Sequence, residues 1–226
     1  MAGDIEDHKW CFAWQEEDPD AVRGAAQKSA MWKPGDEITV SFIDGDKKMM
    51  QKVWQAAHGW IGPDMANLKF VPRSKGGQIR ISFKLRGSWS AVGTTCRHVA
   101  AEKPTMNFGW LKPDSTDAEI NRVVLHEFGH ALGLIHEHQS PSGGITWKRA
   151  QVIADLQGPP HFWTDAQIET NMFRKFEKKE VNATKLDEHS IMLYPIPKTW
   201  TTGFSSSTNA ELSELDRKLI RKIYPH

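Results

Sequence analysis

No stretch of this chain restricts its fold more than His126–His138, which reads HEFGHALGLIHEH. His126 and His130 are four residues apart, so on an α-helix they lie about 40° apart on one face and can grip a single ion. Glu127 sits beside them, where a carboxylate can take a proton from an activated water. Gly133 follows His130 by three residues, where a helix can stop and the chain turn sharply. His136 then returns as a third ligand. A bare HExxH arises on helices by chance, but the added glycine and third histidine are far more restrictive. A surface helix with solvated histidines would have to explain three of the ten histidines falling in one register. The chain is therefore expected to build a metal centre on a helix. His138, by its spacing, points elsewhere and reads as a surface or hydrogen-bonding residue.

The remainder is arranged around that helix. Thr116-Asp117-Ala118-Glu119 is a capping box that opens it. Ile120, Val123, Val124, Phe128, Ala131 and Leu132 give it buried surfaces and a central place. Upstream, Ile38, Val40 and Phe42 alternate within Glu37–Phe42 as in a half-buried strand. Met50, Val53, Trp54, Ala57 and Trp60 recur at helical spacing between Asp46 and Ile61. Leu68–Val71, Ile79–Phe83, Trp89–Val92 and Thr105–Phe108 read as further strands. Downstream the texture is irregular: loops at Ser140–Gly144 and Pro159-Pro160, a helix over Asp165–Phe176, an irregular stretch over His189–Pro197, and a closing helix over Ser213–Ile223. The predicted class is α+β, in two lobes with the metal between them. The N-terminal lobe, about 31–133, is a twisted mixed sheet with two long helices; the C-terminal lobe, about 134–226, is irregular and ends in a helix.

At 226 residues and 39% hydrophobic, the chain can bury a sizeable core. Basic and acidic residues nearly balance, 29 against 28, for a formal net of +1, so no basic stripe argues for nucleic acid. No apolar run approaches the roughly 20 residues of a membrane span. MAGDIEDHKW is polar and acidic, unlike a signal peptide, which points to a chain that starts inside the cell or a mature form with an added Met. Cys11 and Cys96 allow at most one disulfide, and two free thiols are the expected state.

Residues 1–30 form a leader without a clear period, expected as a short helix wrapping the domain. Within it, Cys11 as a thiolate or Asp4 as a carboxylate is a candidate to reach the metal and hold the protein latent. The plainer alternative is a buried cysteine and a solvated aspartate.

HEFGHALGLIHEH is similar to the zinc signature HExxHxxGxxH of the metzincin metallopeptidases. Ser190-Ile191-Met192-Leu193-Tyr194 matches their methionine turn. Glu137 directly after the third histidine, with Tyr194 two residues after the methionine, resembles the astacins. Serralysins share the tyrosine but usually place proline after the third histidine and carry calcium repeats that are absent here. MWKPGDEITVSF, LKFVP, GSWSAVG, PTMNFGWL, SIMLYPIP and LSELDRKLIRKIY occur in the order expected of compact microbial or fungal astacin-like proteins, from about Met31 to Tyr224. The chain departs from animal astacins in lacking their four framework cysteines, Ser88 standing near one expected place, and in carrying Leu193 where histidine is common.

The resemblance implies a two-lobed zincin with one Zn²⁺ per chain, held by His126, His130 and His136 with an open fourth position. Glu127 would be the general base. Tyr194 would ligate zinc at rest and then hydrogen-bond the developing oxyanion. Met192 would support the metal from below, and Glu137 would orient a ligand or fix the N-terminal segment. The strand Thr105, Met106, Asn107, Phe108 would be a sheet edge that pairs with substrate backbone. The expected partner is a peptide or protein substrate, with no nucleic acid or membrane, and the protein itself is expected to be a monomer. An endopeptidase for extended polypeptides leads. A processing peptidase for one partner and a catalytically silent zinc-stabilised peptide-binding module are the alternatives.

Overall fold

The computed structural model describes residues 12–14, 30–141, 144–159, 161–176 and 186–226. Its frame is a six-stranded mixed sheet in the order β1-β5-β6-β4-β2-β3. The strands are β1 Phe12–Trp14, β2 Glu37–Phe42, β3 Lys69–Pro72, β4 Ile79–Ser82, β5 Ser88–Ala91 and β6 Met106–Phe108. Among the described residues of this sheet only the β5–β6 pairing is antiparallel; the other four are parallel. Parallel neighbours need a crossover, and helix α1, Lys47–Ala57, supplies it between β2 and β3. The side chain of Asp46 caps α1 by accepting from the N–H groups of Lys48 and Met49. Met49, Val53 and Ala57 form its buried face, so Met49 takes the place expected of Met50.

Within the leader, Phe12–Trp14 is a strand and not a helix, running parallel to β5 with Phe12 opposite Trp89 and Trp14 opposite Ala91. Edge pairing needs no side-chain period, so the segment left no mark in the hydrophobic pattern. The strand containing Thr105–Phe108 is not an edge: β6 lies between β4 and β5. Thr105 itself donates to Arg80 O and accepts from Ala91 N–H, at 2.9 and 2.8 Å.

Helix α2, Asp117–Ala131, packs against α1 and β5. Buried side chains among the described residues form two clusters. The first joins the sheet, α1 and α2; the second gathers Val152, Leu156, Trp163, Ile168, Met172, Phe173, Tyr194, Ile196 and Trp200. In that second region β7 Thr146–Trp147 pairs with β8 Thr201–Thr202. Helix α3, Arg149–Gln157, was not expected, because only Val152 and Leu156 mark its inner face. The helix expected over Asp165–Phe176 is α4, Asp165–Ile168, capped reciprocally by Thr164 and Gln167, which widens into a π-turn over Glu169–Phe173. The last helix, α5 Glu214–Ile223, had been expected with the second lobe; Ile220, with Tyr224 just beyond its end, packs into the first cluster. Among the described residues no helix is long and apolar enough to cross a membrane. Cys96 is a buried free thiol, its pKa pushed up by burial to about 11. Cys11 and Asp4 lie outside the described residues.

Candidate metal centre and active-site cleft

Helix α2 begins where the sequence marks it: the Thr116 hydroxyl accepts from Glu119 N–H. It ends in a Schellman motif, with Leu134 N–H bonded to Gly129 O at 3.0 Å and Gly133 N–H to His130 O at 2.8 Å. Gly133 has φ +90°, and a Cβ there would lie 2.6 Å from the Met31 sulfur. Only glycine permits both. The turn sends the chain back so that His136 faces the helix. One nitrogen from each of His126, His130 and His136 lies within 4.8 Å of the others, and Nε2 of His130 and His136 are 3.0 Å apart. Imidazole nitrogens on a tetrahedral zinc, at about 2.05 Å each, stand about 3.3 Å apart, so the donor set fits that ion.

The other ring nitrogen of each histidine is engaged. Nδ1 of His126 bonds Ile191 O at 2.7 Å, Nδ1 of His130 bonds Leu134 O at 2.9 Å, and Nδ1 of His136 meets Gln139 Oε1 at 3.3 Å. Each partner is an acceptor, so each Nδ1 carries the proton and each Nε2 keeps its lone pair. Burial favours the neutral ring: it lowers the His130 pKa to about 4 and holds His126 and His136 well below the usual value. Three neutral, oriented nitrogen donors result.

The methionine turn underlies this centre. Met192 is buried against α2, where a Cβ on Gly129 would come within 2.4 Å of its sulfur. Ile191 and Met192 belong to the first core cluster, Leu193 and Tyr194 to the second, so the turn is the seam between them. Its position is fixed from both sides. Glu137 N–H donates to Met192 O at 3.0 Å. Asp216 of α5 accepts from Ile191 N–H at 2.8 Å and from the Ser190 hydroxyl at 2.7 Å, while also accepting from Ser213 N–H at its own helix start. The Glu137 carboxylate accepts from Asp187 N–H, and burial raises its pKa to about 7. Glu137 therefore joins the third histidine to the methionine turn and to residue 187.

A cleft of about 350 Å³ opens beside the histidines, lined by Trp110, Arg122, Val123, His126, Glu127, Ile191, Leu193, Tyr194, Pro195, Thr208 and Asn209. Glu127 is buried to 1% exposure. The Tyr194 ring lies 4.2 Å from that of His136, centroid to centroid. His138 is not a surface residue: it is 1% exposed, its Nε2 bonds Asn171 O at 2.8 Å, and its ring stacks at 5.4 Å on His136.

The structure thus brings together His126, Glu127, His130, His136, Glu137, Met192 and Tyr194. Thr105–Phe108 are instead placed inside the sheet. Sequence reasoning missed Gln139, Asp216 and Arg122. Asp216 carried a partial signal, since Ser213-x-x-Asp216 is a helix-start pattern. Arg122 stands one helical turn before His126, a position visible once the helix was assigned. Nothing local marks Gln139.

Comparison with known proteins places this geometry in a family. No family model and no curated protein matches the chain. Among solved structures, one of myroilysin superposes with a TM-score of 0.84 at 36% identity, covering 88% of this chain and 98% of that one. A second myroilysin structure gives a TM-score of 0.72 at 34% identity, over 98% of this chain and 93% of that one. High choriolytic enzyme 1, a hatching-enzyme zinc-protease from the medaka fish Oryzias latipes, shares the fold at a TM-score of 0.59 and 16% identity, with coverage of 87% and 95%. The three converging histidines, the methionine turn and this similarity together show that the chain belongs to the astacin family of zinc metallopeptidases and is a metalloendopeptidase.

Proposed function

We propose that the protein hydrolyses internal peptide bonds of extended polypeptides, with His126, His130 and His136 holding one zinc ion per chain and Glu127 acting as general base. The observation that carries this reading is the set of three Nδ1–H groups bonded to oxygen acceptors, which leaves three Nε2 lone pairs facing one point. Zinc bound there supplies Lewis acidity, polarising a peptide carbonyl and bringing the pKa of a water towards about 7. Glu127, buried on the cleft wall beside His126, accepts the proton released when water attacks and delivers it to the departing amine. Tyr194, on the same wall, hydrogen-bonds the oxyanion; groups of this kind are typically worth about 3 kcal/mol of the barrier. Met192 fills the space beneath the ligands, and Glu137 holds the third ligand's loop against the methionine turn.

Glu127→Gln keeps the size and shape of the side chain and removes its basicity. The variant is expected to bind zinc as the parent does and to lose at least about 100-fold in cleavage of a denatured-peptide library. Full retention of cleavage would sink the assignment.

The leader enters the same reading. An extended substrate would add to the sheet along β5, the strand beside α2, and Phe12–Trp14 pairs there with Trp89–Ala91. The leader is therefore proposed to limit substrate access, with Cys11 and Asp4 the residues to substitute first. A form starting at Met31 should cut the library faster than the full chain. Equal rates would remove the leader from regulation. A processing role on one partner is favoured only if neither form cuts the library.

A further inference from the structure

Two of the three histidines are oriented by main-chain carbonyls, Ile191 O and Leu134 O, which no substitution can remove. The third is not. His136 Nδ1 faces the side-chain oxygen of Gln139 at 3.3 Å, and the other end of that carboxamide, Nε2, donates to Thr170 O at 2.7 Å.

Thr170 belongs to the π-turn Glu169–Phe173, which closes with Arg174 N–H on Glu169 O at 2.8 Å. In such a turn the carbonyls tilt out of the ordinary helical ladder, and π-turns recur at functional sites for that reason. Here two of them meet the loop that follows His136. Thr170 O takes Gln139 Nε2 and Asn171 O takes His138 Nε2, while Phe176 N–H returns a bond to Gln139 O at 3.1 Å.

A carbonyl can only accept, so Thr170 O selects the amino end of the Gln139 carboxamide. The oxygen end is then turned to His136. An oxygen there can only accept in turn, so the His136 proton is held on Nδ1 and the lone pair on Nε2. The three groups form a relay in which the π-turn dictates the tautomer of a ligand.

We propose that Gln139 is the positioning residue of the third zinc ligand, and that the Glu169–Phe173 π-turn sets the His136 tautomer by fixing which end of the Gln139 carboxamide faces it. The inference rests on the zinc reading above.

Two variants separate it from a merely structural role. Gln139→Met keeps the volume and removes both bonds. Gln139→Glu loses the donor to Thr170 O but still presents an oxygen to His136. The expected pattern is a zinc affinity, by chelator competition, weakened about 10- to 100-fold in Gln139→Met and held within about threefold of the parent in Gln139→Glu. Nitrogen-15 NMR of the metal-free chain reads the tautomer directly. The proton should sit on Nδ1 of His136 in the parent and in Gln139→Glu, and be shared between the two nitrogens in Gln139→Met. Equal losses in both variants would mean that Gln139 only anchors the loop and would overturn the proposal, as would unchanged affinity and tautomer in Gln139→Met. If Gln139→Met does not fold, the parent and Gln139→Glu decide together. An Nδ1 proton on His136 in both supports the relay. An Nε2 proton in the parent, or a loss of zinc affinity of about tenfold or more in Gln139→Glu, overturns it. A parent chain that binds no zinc would refute the metal reading instead, leaving the tautomer measurement standing on its own.

Discussion

Adding one methyl group at Gly129 tests how closely the methionine turn is pressed against the zinc helix. In an unconstrained helix Gly129→Ala would stabilise by about 1 kcal/mol, since alanine has the better propensity. Here the new Cβ would lie 2.4 Å from Met192 Sδ, 3.2 Å from Met192 Cε and 3.1 Å from Trp60 Cζ2. The first contact is a clash that forces the sulfur to move and the other two are tight by a few tenths of an ångström, while both side chains are buried, at 2% exposure for Met192 and 0% for Trp60. Overpacking of this kind costs about 1–3 kcal/mol, and one clash with two tight contacts, between buried side chains with nowhere to retreat, puts the cost in the upper half of that range. The net loss is then about 1–2 kcal/mol, which for a chain of this size lowers Tm by roughly 2–8 °C. Thermal melting of the metal-free protein by circular dichroism gives the number. A second measurement isolates the cause. In a Met192→Ala background most of the clash is gone, so Gly129→Ala should become neutral or stabilising, with a coupling of about 1–3 kcal/mol in the double-mutant cycle. An unchanged or raised Tm for Gly129→Ala in the parent, or additive effects in the cycle, would refute the reasoning.

The buried histidines make the metal-free protein acid-sensitive. His130 and His138 titrate near 4 when folded because burial penalises the charged ring, against about 6.5 when unfolded. Between those values the unfolded chain binds more protons at these rings, so their contribution is complete above about pH 6.5 and falls as the pH drops toward 4, by about 3 kcal/mol per residue. Glu137, whose pKa is raised to about 7, acts in the opposite sense and offsets this loss in part. Denaturant midpoints at several pH values check this, and a flat profile from 7 to 4.5 would contradict it. Asp216→Ala strips the acceptor from Ile191 N–H, Ser190 Oγ–H and Ser213 N–H. It should cost about 3 kcal/mol or more and weaken zinc by loosening the Ile191 carbonyl that orients His126; an unaltered zinc affinity would break that chain of contacts. Thr116→Ala removes the cap of the zinc helix and should cost about 1 kcal/mol while leaving zinc affinity alone, which melting and chelator competition together would verify.

Features of local origin were the legible ones. The zinc helix announced itself through Thr116, the four-residue histidine spacing and Gly133, because caps, period and stop signals all act within a few residues. Met192 and Tyr194 were readable through the family resemblance. What the sequence could not supply was spatial order. Thr105–Phe108 has the pattern of a strand whether it lies at an edge or inside, and only the placement of β4 and β5 decides. Phe12–Trp14 borrows its structure from β5. Gln139 owes its role to a carbonyl 31 residues away, and His138 is buried by residues that its own spacing says nothing about.

The carboxylate of Asp216 also has a consequence in time. A chain emerging from the ribosome displays the zinc helix before Asp216, the residue that holds the segment whose carbonyl orients His126, has been made. Tyr224, later still, bonds Leu132 O just before the helix-stopping glycine. The metal centre therefore cannot be completed until Asp216 and Tyr224, well downstream of its helix, have been made. For a protein-cutting enzyme this ordering is protective, because an unfinished chain lacks the contacts that would make it one.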